Sequence, residues 1–127
     1  MMLADLLEMA VRKDSIRSIL EDFKNSNQKI DLILSPAMGG IIIGYEVGRL
    51  LRKETIFCER VKGKFQLRRG FIIKKNARVV IVEDVITTGK SSLECANLVN
   101  EYKAKIAGYA CIIDRSNDEN LIKDKII

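Results

Sequence analysis

The feature that most constrains this chain is a run of thirteen residues, Val79-Val80-Ile81-Val82-Glu83-Asp84-Val85-Ile86-Thr87-Thr88-Gly89-Lys90-Ser91. Four consecutive β-branched apolar residues read as a strand buried on both faces, the kind found in a parallel sheet covered by helices. Two carboxylates follow at once, then a turn from Glu83 to Gly89 and a helix over Ser91 to Tyr102. In sheets of this type ligands sit beyond the carboxyl ends of the strands, so the acidic pair and the turn fall where a ligand would bind.

The rest of the chain repeats the strand–loop–helix rhythm. Leu3, Leu6, Leu7, Ala10 and Val11, then Ile16, Ile19, Leu20 and Phe23, recur at helical spacing and predict an opening amphipathic helix. Lys29 to Leu34 reads as a strand and Ser35-Pro36-Ala37-Met38-Gly39-Gly40 as a loop. A helix is expected from about Gly40 to Arg52, with Gly44 and Gly48 spaced for close packing against a sheet. Thr55 to Cys58 predicts a second strand, and Glu59 to Arg69 a long loop that pairs as a hairpin with Phe71-Ile72-Ile73, a candidate lid. Ile106 to Ile113 forms the last strand, and the tail from Ser116 to Ile127 is unassigned. Alternating strands and helices predict an α/β fold, a central mostly parallel sheet flanked by helices with right-handed crossovers. At 127 residues, without repeat, linker or low-complexity tract, the chain reads as one domain over 1–127.

Composition narrows the class. With 47% apolar and 31% charged residues the chain has enough of both to fold as an ordinary globular protein. The net charge of +5 suits an anionic ligand and suits solubility equally. Basic residues crowd between Arg60 and Arg78, yet Phe65 and Phe71 are the only aromatics there and form no stacking motif, so a phosphate-facing loop or solvated turn is expected and no nucleic-acid partner. Cys58, Cys95 and Cys111 are odd in number and widely spaced, as in a reduced cytoplasmic protein. The apolar runs are short and broken by charge, so neither export nor a membrane is expected.

Each part of the central run has a chemical task. Free N–H groups at the helix start and the hydroxyls of Thr87, Thr88 and Ser91 can wrap a phosphate dianion, and Gly89 lets the backbone approach it. Glu83 and Asp84 can accept hydrogen bonds from vicinal ribose hydroxyls, or bind magnesium directly or through water. An acidic surface turn followed by a Thr N-cap is the plainer reading. Gly89-Lys90-Ser91 mimics the end of a Walker A loop, but that pattern needs a glycine where this chain has Asp84.

Glu83 to Ser91 with its strand resembles the ribose-phosphate-diphosphate motif of type I phosphoribosyltransferases. The resemblance implies that Glu83 and Asp84 hold the ribose hydroxyls while Thr87, Thr88, Gly89, Lys90 and Ser91 form the 5-phosphate turn, with Val85 and Ile86 also counted among the phosphoribosyl diphosphate contacts. Within that family, Ser35 to Gly40 is similar to the diphosphate loop of orotate phosphoribosyltransferases, which gives Ala37, Met38 and Gly39 to the diphosphate. Glu59-Arg60 and Leu67 to Phe71 resemble the mobile-loop region of one branch of them, and Asp114-Arg115 the pair whose arginine holds the orotate carboxylate, with Thr87 also near the base. On spacing alone Arg115 serves a surface salt bridge with Asp114 or Asp118 equally well.

The resemblance implies transfer of ribose 5-phosphate from phosphoribosyl diphosphate to orotate, giving orotidine monophosphate in pyrimidine (UMP) biosynthesis. It implies magnesium as cofactor, a homodimer, and a leaving diphosphate neutralised by Arg60, Lys62 or Lys64, since the chain has no His for the lysine-and-histidine loop of many members. The family's additional N-terminal segment and its strand and helix after the Asp-Arg pair find no match, so a chain shortened at both ends is expected. A non-catalytic sensor that keeps the sugar-diphosphate site, a transferase for another base, and a decaying gene product are the rival readings.

Overall fold

The computed structural model describes residues 29–86 and 88–114. The expected opening helix, Thr87, Arg115 and the tail lie outside the described residues. The chain builds β1 (Leu32–Pro36), α1 (Gly39–Leu51), β2 (Glu54–Val61), β3 (Lys64–Leu67), β4 (Arg78–Ile86), α2 (Lys90–Glu101) and β5 (Lys105–Asp114). The five strands form one sheet in the order β3-β2-β1-β4-β5.

Strand β1 is buried along its whole length and sits at the centre, its apolar Leu32-Ile33-Leu34 covered on both faces of the sheet. It pairs in parallel with β2, from Leu32 opposite Glu54 to Pro36 opposite Cys58, and with β4, from Leu32 opposite Val79 to Leu34 opposite Ile81. Strand β5 lies parallel to β4, with a register shift between Val79 and Val80. The chain runs outward from β1 to β2 and β3, then returns to β4 on the other side. The order reverses between β1 and β4, and a crevice for ligands forms at such a reversal.

The two faces of the sheet carry separate cores because side chains alternate along a strand. Leu32, Leu34, Val79 and Ile81 pack with Cys95, Leu98 and Val99 of α2, while Ile33, Val80 and Val82 pack with Ile43 and Val47 of α1. Helix α1 comes close to the sheet at the glycines expected to permit it. A Cβ on Gly44 would overlap Ser35 Oγ, and one on Gly48 would overlap Thr55 Oγ1.

Two expectations need correction. The segment Glu59–Arg69 is not a long loop, and its hairpin partner is not Phe71–Ile73. Strand β2 continues to Val61 and turns through Lys62 and Gly63, both at positive φ (53° and 82°), into β3, so that Val61 faces Lys64 and Cys58 faces Leu67. Positive φ at both central residues gives a two-residue turn whose twist matches that of the strands it joins. Phe65, pointing inward between exposed Lys64 and Gln66, completes the alternation. Second, Glu83, Asp84, Val85 and Ile86 belong to strand β4 and not to a turn, because the ladder with β5 continues through Ile86 opposite Asp114.

Candidate functional site

Both helices begin at the carboxyl edge of the parallel strands, each one short connection after its strand. Neither start has a hydrogen bond from an N-cap side chain, and neither first turn contains an acidic residue. Unsatisfied N–H groups and the positive end of the helix dipole therefore face this edge twice, an environment that favours anions. At α2, Gly89 takes a left-handed conformation (φ 82°) that glycine adopts without strain, and Thr88 Oγ1 accepts a hydrogen bond from the Lys90 N–H at 3.3 Å. At α1, the Ala37–Met38 peptide is cis, the Ala37 N–H donates to the Cys58 carbonyl at 2.8 Å, and Met38 is 80% exposed.

The two carboxylates lie between these helix starts and diverge. Asp84 reaches the α1 side, where a Cβ on Gly39 would come within 2.6 Å of its Oδ2. Glu83 reaches the α2 side, where the hydroxyl of Ser92 donates to its Oε2. Burial raises the Glu83 carboxyl above the ordinary 4.5; the Ser92 hydrogen bond pulls it down and the neighbouring Asp84 charge pushes it up further. The arrangement presents two carboxylate acceptors flanked by two anion-favouring helix ends, which fits a polyol carrying phosphate at two positions.

The structure thus brings together Glu83, Asp84, Thr88, Gly89, Lys90, Ser91, Ala37, Met38 and Gly39 along one edge. Val85 is half-buried and Ile86 fully buried, so Ile86 serves the core with its side chain. The three expected loop cations are disposed differently. Arg60 lies 4.2 Å over the Phe65 ring and donates to Glu94 at 2.5 Å and to the Gly63 carbonyl at 3.2 Å. Lys64 pairs with Glu101 at 3.0 Å. Lys62, at the hairpin tip, has no ion-pair partner among the described residues. Ser92 was not anticipated from sequence, although it begins the buried stripe Ser92, Cys95, Ala96, Val99 of α2, a spacing that marks the sheet-facing side.

A magnesium ion would find hard oxygen donors here in Glu83 and Asp84. No group of three or more potential ligands occurs among the described residues. Such a donor set suits a cation carried chiefly by phosphate oxygens and water.

Comparison with known proteins decides what this edge belongs to. The family model described as the phosphoribosyl transferase domain matches residues 3–127. The chain belongs to the phosphoribosyl transferase domain family. Its fold is that of the type I phosphoribosyltransferases: purine phosphoribosyltransferase from Pyrococcus horikoshii superposes with a TM-score of 0.71 at 24% identity, covering 89% of this chain and 77% of that one. Adenine phosphoribosyltransferase from Thermoanaerobacter pseudethanolicus gives 0.74 at 18% identity, over 88% of this chain and 74% of that one.

In sequence, this phosphoribosyl transferase domain is 48% identical over 98 residues to a protein named orotate phosphoribosyltransferase from Parvibaculum lavamentivorans, covering 77% of this chain and 50% of the relative. It is 51% identical over 94 residues to the protein of that name from Sphingopyxis alaskensis, covering 74% and 48%. The chain spans about half the length of these curated relatives. Among the described residues no helix is long and apolar enough to cross a membrane.

Proposed function

We propose that the chain acts as an orotate phosphoribosyltransferase, joining ribose 5-phosphate from phosphoribosyl diphosphate to a ring nitrogen of orotate with release of diphosphate. The observation that carries this reading is the pair of carboxylates on β4 set between two helix starts. Identity near one half to proteins bearing that name supports the choice of base.

In this reading the start of α2, with Thr87, Thr88, Gly89, Lys90 and Ser91, binds the 5-phosphate. Glu83 and Asp84 accept from the ribose hydroxyls and fix the sugar, so that its anomeric carbon faces the base. The loop Ala37-Met38-Gly39 and the start of α1 bind diphosphate. Positive charge developing on the sugar as the leaving bond stretches is tolerated near the two carboxylates, and the negative charge gathering on diphosphate meets N–H groups and a hairpin cation. Lys62 fits that last task best, because Arg60 and Lys64 are engaged by Glu94 and Glu101. Arg115 holds the orotate carboxylate through paired N–H donors. Magnesium, when bound, would neutralise diphosphate. Residues 1–127 acting as one domain, a homodimer and a cytoplasmic place complete the proposal.

The test is to mix the purified chain with magnesium, phosphoribosyl diphosphate and orotate, and to follow orotate loss in the ultraviolet beside a thermal-shift titration of each ligand. Turnover is expected. Stabilisation by the sugar diphosphate without turnover would replace the enzyme with a binding protein, and no response to either ligand would remove both readings.

A further inference from the structure

Ser92 is fully buried and stands at the third residue of α2. A helical serine can bond back to the carbonyl one turn earlier or point to water. Ser92 instead donates across the sheet interface to Glu83 Oε2. Glu83 is half-buried, and the groups facing it are few: Asp84 on its own strand, Cys95 from α2, and Cys111 opposite it on β5. The Ser92 hydroxyl donates to one of the two oxygens of this carboxylate.

We propose that Ser92 is a positioning residue for the sugar site, its hydroxyl fixing one oxygen of Glu83 so that the other is presented to a ribose hydroxyl. The inference rests on the sugar-diphosphate reading above and adds a residue to it. A carboxylate free to rotate about its last bond presents two equivalent oxygens in many directions, whereas one held by a buried donor presents a single oxygen in a fixed direction, the usual way a supporting hydrogen bond sharpens a site.

The experiment compares wild type, Ser92→Ala and Ser92→Thr. Phosphoribosyl diphosphate affinity is measured by calorimetry with magnesium, beside the affinity for inorganic diphosphate, which carries no ribose hydroxyl for Glu83 to hold. Melting curves confirm that each variant folds. Loss of a hydrogen bond to a charged group weakens binding roughly tenfold or more. Ser92→Ala is expected to show that loss for phosphoribosyl diphosphate with diphosphate affinity unchanged, and Ser92→Thr to recover it. A wild-type chain without affinity for the sugar diphosphate overturns the underlying reading and this proposal with it. A wild type that binds, beside a Ser92→Ala variant that keeps its phosphoribosyl diphosphate affinity or loses affinity for both ligands alike, overturns the proposal alone.

Discussion

Gly39 and Asp84, forty-five positions apart in the chain, meet so closely that no side chain fits between them: a Cβ on Gly39 would lie 2.6 Å from Asp84 Oδ2 and 3.0 Å from its Cγ. The start of α1 is thereby set against the acidic pair, and any side chain at this position requires the Asp84 carboxylate to move.

Gly39→Ala should therefore displace the Asp84 carboxylate while leaving the core intact. Affinity for phosphoribosyl diphosphate is expected to fall on the order of tenfold, as for a lost hydrogen bond to a charged group. Calorimetric titration beside a thermal melt checks this; a lowered melting temperature with retained affinity would place the contact in folding alone.

Glu83 makes stability depend on pH. Its folded-state carboxyl titrates above the ordinary 4.5, so between that value and its own the folded chain binds more protons than the unfolded chain. Stability contributed by the protonated form is present at acid pH and is lost as pH rises through the folded value. Glu83→Gln keeps an acceptor for Ser92 without the charge. Its melting temperature should gain on wild type as pH rises from 4.5 towards neutrality, while sugar-diphosphate binding drops; parallel melts over that range read the difference.

Gly44→Ala places a methyl group on Ser35 Oγ, a buried hydroxyl without a hydrogen-bond partner among the described residues. Overpacking of this kind costs about 1–3 kcal/mol. Part of the cost should disappear in the Ser35→Ala background, where the obstructing oxygen is gone and no buried hydroxyl is left unpaired. Urea denaturation of the two single variants and the double variant gives the coupling.

Arg60 and Lys62 sit close together in sequence and should behave differently. Arg60→Ala is expected to cost little stability and to couple to Glu94→Gln by about 0.2–1 kcal/mol, the scale of exposed ion pairs. Lys62→Ala should lower kcat on the order of a hundredfold, as for a lost donor to a charge formed in the transition state, with an unchanged melt. Steady-state kinetics of both variants distinguish strut from charge carrier, and the opposite pattern would return that role to Arg60.

What the sequence shows of this fold follows from which forces act locally. Val79 to Val82 and the helix from Ser91 to Tyr102 were legible because burial on both faces, or on one face of a helix, writes its period into the chain. Gly44 and Gly48 were read correctly as packing positions for the same reason. The hairpin was missed because Lys62-Gly63 lacks the Asn-Gly or Asp-Gly that usually announces a two-residue turn. Glu83 and Asp84 read as turn residues because carboxylates rarely continue a buried strand; pairing with β5 overrides that preference, and nothing local records the partner. The Arg60–Glu94 pair and the Ser92–Glu83 bond join residues from separate elements, so they depend on packing that spacing alone does not encode.

The reversal of strand order between β1 and β4 has a kinetic meaning. Asp31 accepts from the Arg78 N–H at 2.9 Å and its own N–H donates to the Arg78 carbonyl at 2.8 Å, so a doubled clasp closes a long loop at the foot of the β1–β4 pair. Until that loop closes, the segment around Gly39 and the segment around Asp84 are strangers in an expanding coil, and closing it costs chain entropy that local contacts do not repay. The site is expected to form with this longest-range pairing of the sheet centre, and amide exchange along β1 and β4 to slow together when ligand binds.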